Sequence, residues 1–264
     1  MKSQRFIKYN RFKVRRKILI LKNRFFGSVI LFFIAFLIIF YLVYFYSFFQ
    51  IKKIEISGNQ KVSTEDIKNL IEINLPIKIL FFNSKSIFLA DLKKIEEEIL
   101  NQFPQIGKVN FRRSFPEKLV FLVEERKPVA IFEKGEELFF IDNEGIIFEK
   151  VSGNDNWLII RDPNFRREPK LGEVIVEKEK ISQILKIQSG LKELKIEIVS
   201  TEIASQQRIN VKTVEGWEIY FNPQNDVSQQ VFNLGLILKE KISPEERRNL
   251  EYVDLRFGNQ VYYK

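Results

Sequence analysis

Residues 25–49 read FFGSVILFFIAFLIIFYLVYFYSFF, a run of 25 residues without one charged side chain. A helix of that length would be about 38 Å long, whereas the hydrocarbon core of a bilayer is about 30 Å thick. The alternative is a buried helix of a soluble protein, which the length of the run and its freedom from charge disfavour. The stretch therefore predicts a membrane-spanning helix.

The charges before this run predict its direction. Residues 1–24 contain ten Lys or Arg and no Asp or Glu, and cytoplasmic flanks carry such an excess of basic residues. A cleaved signal peptide is the alternative, but residues 46–51, YSFFQI, lack a small-x-small cleavage site. We expect an uncleaved single-pass anchor in the cell (inner) membrane, with the N-terminus cytoplasmic. The tail either binds anionic lipid or serves only to set this topology.

The net charge of +9 belongs to the tail, since residues 25–264 hold 33 basic and 34 acidic side chains. The charge of the whole chain therefore does not indicate nucleic-acid binding. The absence of Cys and His excludes disulfides, thiolate or imidazole metal sites, and Ser-His-Asp or Cys-His catalysis. We predict no catalytic residue, no metal, no cofactor and no small-molecule substrate.

Two patterns leave an enzymatic alternative open. Ser189 begins a bare S-x-x-K, but it falls inside a predicted helix and lacks the companion motifs of penicillin-binding enzymes. Acidic runs occur at 96–98 and 136–137, and paired carboxylates can hydrolyse glycosides. Neighbouring Lys side chains make solvated surfaces the better interpretation of both runs.

The chain after the anchor alternates between strand and helix patterns, which predicts an α+β protein. From residue 50 to 127 the predicted order is strand, helix, helix, strand, strand, with apolar stripes on the helices that would cover one face of a small sheet. The predicted strands are 51–56, 107–113 and 118–125, and the predicted helices are 63–73 and 86–101.

Residues 128–264 predict a mixed, mainly antiparallel β domain with flanking helices and a polar loop at 161–173. The predicted strands are 129–132, 138–142, 146–149, 196–199, 208–211, 217–221, 252–257 and 261–263, with helices at 177–194 and 227–239. The predicted organisation is thus a basic tail (1–24), a transmembrane helix (25–49), a first domain (50–127) and a β domain (128–264).

Four segments, taken in order behind the anchor, resemble the FtsQ/DivIB family of bacterial cell division proteins. They are VNFRRSFPEKL at 109–119, VEERKPVA at 123–130, FIDNEGIIF at 140–148 and YVDLRF at 252–257. The resemblance covers essentially residues 25–264, although 150–210 contain no matching motif. It implies that residues 50–127 are a POTRA domain (β-α-α-β-β) and that 128–264 are an FtsQ-type β domain.

The resemblance also implies a function. Proteins of this family are non-catalytic bitopic scaffolds at the division septum, which bind FtsB/DivIC-like and FtsL-like partners and, through them, the septal peptidoglycan synthase. Two alternatives remain: a POTRA-containing envelope chaperone or secretion adaptor, and a carboxylate-dependent envelope hydrolase. Neither several POTRA modules nor a barrel pattern, both typical of the first alternative, is visible in the sequence.

The C-terminal strand is the candidate partner site. Alternation along 252–257 predicts that Val253, Leu255 and Phe257 face the core, and that Tyr252, Asp254 and Arg256 face outward. A terminal strand with a free edge can bind a partner segment by strand addition, and the resemblance implies the same edge for FtsB or DivIC. Alternatively, the aromatic residues only close the core. The predicted partner-binding residues are Tyr252, Asp254, Arg256, Phe257, Gly258, Val261, Tyr262 and Tyr263.

Three further residues match family positions near the strand ends of the first domain: Arg113, Glu125 and Arg126. We expect a structural role for them. Glu125 and Arg126 could pair with Arg113, or could hold the junction between the two domains.

Overall fold

A computed structural model describes residues 24–79, 82–153, 157–258 and 260–264. The predicted basic tail, apart from Arg24, lies outside these ranges. The first helix, α1, spans Arg24–Tyr44. Within it, Phe25–Tyr44 is the one segment of the described chain that is long and apolar enough to cross a membrane. α1 ends five residues before the predicted limit, because Ser47–Phe49 form a separate 3₁₀ turn.

A three-stranded sheet follows, with two helices that share its core. The strand order is β1-β5-β4, in which β1 and β5 are parallel and β4 and β5 antiparallel. A two-stranded hairpin, β2–β3, lies apart from this sheet. The elements are β1 (Lys53–Ser57), α2 (Thr64–Asn74), β2 (Ile77–Ile79), β3 (Phe82–Ser84), α3 (Leu92–Gln102), β4 (Ile106–Ser114) and β5 (Lys118–Glu125).

The structure of this unit differs from the sequence prediction in two places. The second helix begins at Leu92 and not at residue 86, because Asp91 caps it by accepting a hydrogen bond from the Lys94 N–H at 3.1 Å. The preceding residues form a turn instead. The β2–β3 hairpin was not predicted, since its three-residue strands are too short to show an alternating pattern.

A nine-stranded sheet forms the second unit, in the order β14-β13-β12-β11-β10-β9-β6-β7-β8. Five of its eight strand pairs are antiparallel and three parallel, which confirms a mixed, mainly antiparallel sheet. Its strands are β6 (Ala130–Lys134), β7 (Glu137–Ile141), β8 (Ile147–Val151), β9 (Ile159–Arg161), β10 (Ile198–Ser205), β11 (Arg208–Thr213), β12 (Glu218–Phe221), β13 (Tyr252–Phe257) and β14 (Gln260–Tyr263).

Two long helices, α4 (Lys178–Glu193) and α5 (Val227–Glu240), share one hydrophobic core with this sheet. They cross closely at Gly190, where a Cβ atom would lie 2.7 Å from the Val231 side chain. A short helix, α6 (Pro244–Arg247), leads into β13.

Strand β9 was not predicted, and β10 is longer than expected. β9 has only three residues, so that its pairing with β6 and β10 depends on neighbours distant in sequence.

The two sheets meet at Arg126. Its Nη1 lies 2.6 Å from Asp142 Oδ2, and its Nε donates to the Pro104 carbonyl at 3.1 Å. Lys61 forms a second, more exposed ion pair across the junction with Glu149, at 2.6 Å. Arg126 therefore holds the junction, one of the two roles expected for it.

Glu125 and Arg113 have separate partners and do not pair with each other. The Glu125 carboxylate accepts hydrogen bonds from the backbone N–H groups of Gln60, Lys61 and Val62. Burial raises the pKa of Glu125, but these three backbone donors outweigh that effect and lower it below 4.5 overall. Glu125 thus stays ionised and fixes the connection between β1 and α2.

Candidate functional site

The last strand, β14, forms one end of the nine-stranded sheet. It pairs with β13 on one side, and no strand of the described chain pairs with its other side. The partner site was predicted on a terminal strand with a free edge. β14 is that edge, whereas β13, which carries half of the predicted residues, is an inner strand between β12 and β14.

The open edge presents backbone groups of defined residues. Lys264 and Tyr252 exchange both backbone hydrogen bonds, at 3.1 and 3.3 Å, so the N–H and C=O of Lys264 point towards β13. Backbone groups alternate between the two sides of a strand. The N–H and C=O of Tyr263, and two residues earlier those of Val261, therefore point towards the open side.

Exposed aromatic side chains flank this edge. Phe257, Tyr262 and Tyr263 are 54%, 51% and 48% exposed. The rings of Phe257 and Tyr262 meet edge to face, with centroids 5.3 Å apart, and the Tyr262 hydroxyl donates to Gln260 Oε1 at 2.9 Å. Val261 is partly buried against the core. Large apolar surface that remains exposed beside open backbone groups is typical of an interaction surface.

The predicted facing of Phe257 was wrong. Val253 and Leu255 are buried in the core as expected, but Phe257 is exposed. Asp254 pairs with Tyr262 and Phe257 with Gln260, so β13 has one residue more than β14 between these pairs. Such a bulge reverses the alternation beyond it. Phe257 accordingly lies beside Tyr262 and not in the core.

Asp254 lies on the outer face of the sheet, as expected, but against a neighbouring side chain and not in solvent. Its side chain is buried, with only 6% of the residue exposed, and it forms a two-pronged ion pair with Arg256, at 2.9 Å to Nε and 2.6 Å to Nη2. The hydrogen bond with Asp254 raises the pKa of Arg256 above its ordinary value. The pair is therefore a fixed part of the outer face of the sheet, and not a free charge at its surface.

A stacked cluster covers this face next to Asp254. The Tyr220 and Tyr252 rings stack at 5.3 Å, and the Arg208 guanidinium lies 4.1 Å from the Tyr220 ring centroid. Burial, together with a hydrogen bond to Glu218, raises the pKa of Tyr220. Tyr252 and Arg256 thus lie beside residues of β11 and β12 that the sequence prediction did not include. Arginine stacked on an aromatic ring offers a flat amphipathic surface.

Helix α5 adds two exposed apolar residues that were not predicted, Phe232 and Leu236. The neighbouring Asn233 donates to the Gly258 carbonyl at 3.3 Å, so this turn of α5 lies beside the turn between β13 and β14. Asn259 of that turn lies outside the described residues. The four-residue spacing of Phe232 and Leu236, separate from the buried stripe of α5, was a signal visible in the sequence.

No group of three or more acidic side chains that could hold a metal ion occurs among the residues that the structure describes. The acidic run at 96–98 lies on α3, within one helix, and 136–137 lie at the turn between β6 and β7. Both runs are therefore surface carboxylates, and Glu137 forms an ion pair with Lys150 of β8 at 2.5 Å.

Comparison with known proteins identifies relatives of this chain. The family model for the POTRA domain of FtsQ type matches residues 49–126. Cell division protein DivIB of Clostridium tetani is 26% identical over 224 residues, which cover 82% of this chain and 80% of that protein. DivIB of Clostridium acetobutylicum is 26% identical over 221 residues (81% and 83%). Cell division protein FtsQ of Syntrophotalea carbinolica is 28% identical over 108 residues (41% and 35%). The DivIB alignments are long enough to include much of the nine-stranded sheet.

Proposed function

We propose that this chain, which has an FtsQ-type POTRA domain and is homologous to DivIB and FtsQ cell division proteins over most of its length, is a non-catalytic scaffold of the division machinery. Its N-terminus is cytoplasmic and its two folded domains, residues 50–127 and 128–264, are extracytoplasmic. It binds the outer segment of an FtsB/DivIC-like partner together with FtsL and so links to the septal peptidoglycan synthase.

The open edge of β14 is the observation that carries this proposal. A partner segment in extended conformation would bond to the backbone groups of Val261 and Tyr263. Phe257, Tyr262 and Tyr263 would then supply the apolar contacts that select the sequence of the partner. Exposed rings beside an open strand edge favour aggregation of an isolated protein. A partner that covers both the rings and the edge accounts for their presence.

The anchor and its direction rest on two observations. The described part of the chain has one segment, Phe25–Tyr44, that is apolar enough to span a bilayer, and residues 1–24 contain ten basic side chains. Basic residues resist transfer across the membrane, which keeps the tail inside and directs the chain after Tyr44 outward.

Two variants test the partner site directly: truncation after Gly258, and the double substitution Tyr262→Ala with Tyr263→Ala. The chain should keep its melting transition, while affinity for the outer segment of the FtsB/DivIC-like partner should fall at least tenfold, about 1.4 kcal/mol. Val214→Ala serves as the control, since Val214 is equally exposed but follows β11 and lies away from β14. Full affinity in a normally melting truncated protein would place the site elsewhere.

A further inference from the structure

The outer end of α1 is hydrogen-bonded to the POTRA domain. Ser84 Oγ donates to the Tyr44 carbonyl at 2.6 Å, and Ser86 Oγ donates to the Val43 carbonyl at 2.5 Å. Gln50 Nε2 also donates to the Tyr44 carbonyl, at 3.1 Å, so that three hydrogen bonds in total join α1 to this domain. The last carbonyls of a helix have no partner within the helix, and here POTRA side chains supply one. Residues 84–86 therefore lie at the level of the last turn of α1.

This contact sets the depth of the POTRA domain relative to a bilayer. The 20 residues of Phe25–Tyr44 form a helix about 30 Å long, equal to the hydrocarbon thickness. If α1 spans the membrane, Val43 and Tyr44 lie at its outer boundary, and Ser84 and Ser86 lie there with them. The headgroup layer beyond the boundary is about 5–7 Å thick, so side chains adjacent to Ser86 lie within it.

Aromatic rings continue from the end of α1 at this level. Their centroids are 5.2 Å apart between Phe48 and Phe49, 5.1 Å between Phe49 and Phe88, and 5.3 Å between Phe88 and Phe115. Phe88 is 42% exposed and Phe115 58% exposed. We call these four residues the aromatic stripe. It is a connected apolar surface on the side of the POTRA domain where α1 enters.

The backbone that carries the stripe is firmly held. Arg113 donates to the Ile87 carbonyl at 2.7 Å and to the Ala90 carbonyl at 2.8 Å, which fixes the turn on either side of Phe88. Phe115 lies two residues after Arg113, in the turn between β4 and β5. Because the turn that carries Phe88 is fixed, the rings of Phe88 and Phe115 remain at the surface, whereas Phe49 is partly buried against the POTRA core.

We propose that the aromatic stripe inserts into the headgroup layer of the outer leaflet, so that the POTRA domain rests on the phospholipid surface in a fixed orientation. The proposal depends on the proposed membrane anchor but not on partner binding. Continuity with the end of α1 identifies lipid as the occupant, and exposed Lys85, between the two serines, lies where it can meet lipid phosphates. Aromatic rings are favoured at this depth.

Spin labelling of the full-length chain tests the proposal, since the protein has no cysteine and each introduced one is unique. Nitroxide labels are placed at Phe115→Cys, at Phe36→Cys in α1, and at Leu122→Cys. Leu122 is exposed on the same sheet but lies four residues beyond Lys118, about 13 Å farther along β5 from the turn that carries Phe115. The chain is reconstituted in bilayers of phosphatidylethanolamine and phosphatidylglycerol, and the accessibility of each label to oxygen and to a water-soluble nickel complex is compared.

The Phe115 label should have an oxygen-to-nickel accessibility ratio several-fold above that of the Leu122 label and below that of the Phe36 label. If the Phe115 label is as accessible to water as the Leu122 label while the Phe36 label lies in lipid, the insertion is wrong and the anchor stands. A water-accessible Phe36 label refutes the anchor and the insertion together. Dipolar broadening at Phe115 that grows with the protein-to-lipid ratio would identify a second copy as the occupant, which also overturns the proposal.

A second measurement separates insertion from mere proximity. With the label at Ser114→Cys, the double substitution Phe88→Ser and Phe115→Ser should shift that label towards water, because the rings that hold the turn in the headgroup layer are gone. The pair Val199→Ser and Val214→Ser, equally exposed in the β domain, should leave the label unchanged. An unchanged label in the first variant would contradict the proposal.

Discussion

At the residue scale, one bulge decides which side chains the candidate edge presents. The alternation along β13 predicted the buried positions of Val253 and Leu255 correctly. It failed at Phe257, because the sequence of one strand cannot show that its partner has one residue fewer. The burial of Asp254 could not be predicted for a related reason: it depends on Arg256 and on the rings of neighbouring strands, contacts that no local pattern encodes.

Strand addition at β14 can be separated from simple side-chain contact by Tyr263→Pro. Proline removes an N–H that, by the alternation of the ladder, points to the open side, so the internal bonds to β13 remain. Partner affinity should fall at least tenfold beyond the loss caused by Tyr263→Ala, about 1.4 kcal/mol more. Isothermal titration calorimetry with the outer segment of the FtsB/DivIC-like partner measures the affinity of both variants. Equal affinities for the two variants would argue against backbone pairing.

The junction between the domains depends on Arg126, and its replacement tests that dependence. Arg126→Met leaves the buried Asp142 carboxylate without its charged partner, which should destabilise the chain by about 3 kcal/mol. Lys127→Met is the control, because Lys127 is exposed and neighbours the same position. Thermal unfolding in detergent compares the two, and equal melting temperatures would show that the ion pair contributes nothing.

At the element scale, the sequence predicted long elements and missed short ones. The stripes of α4 and α5, and the alternation of β4 and β5, are long enough to identify their type from periodicity. β2, β3 and β9 have three residues each, and only tertiary pairing makes them strands. The turn before α3 was assigned to the helix, since Asp91 follows apolar residues that fit the helical spacing.

The connection between β1 and α2 should be sensitive to pH through Glu125. Its pKa is lowered in the folded chain, so its contribution to stability is present above pH 4.5 and is lost as the pH falls through the folded pKa. At pH 7, Glu125→Gln should cost about 1 kcal/mol, and the difference from the native chain should shrink in acid. Melting curves between neutral and acidic pH check this; a constant difference would refute the role of the charge.

At the scale of the whole molecule, the family resemblance and the fold class are confirmed, while the domain limits and the partner residues stay predictions. The anchor, the order of the elements and four short motifs indicated this resemblance. The location of an open edge could not be predicted in the same way, because strand order in a nine-stranded sheet depends on pairings such as β12 with β13, which join elements some thirty residues apart.

Membrane topology is open to direct test. Protease added to spheroplasts should digest residues 50–264 and leave the basic tail protected, since the tail is expected inside. Disrupted cells provide the control in which the tail is digested as well. A mature protein that begins near residue 50, recovered from intact cells, would show that the apolar segment is a cleaved signal and not an anchor.

Pairing of a partner segment with the open edge of β14 is tested most directly by amide hydrogen exchange. Exchange at individual amides is measured with and without a saturating outer segment of the FtsB/DivIC-like partner. The N–H groups of Val261 and Tyr263 should exchange freely in the isolated chain and become protected in the complex, because an added strand bonds to them. Tight binding that leaves both amides unprotected would contradict strand addition at this edge.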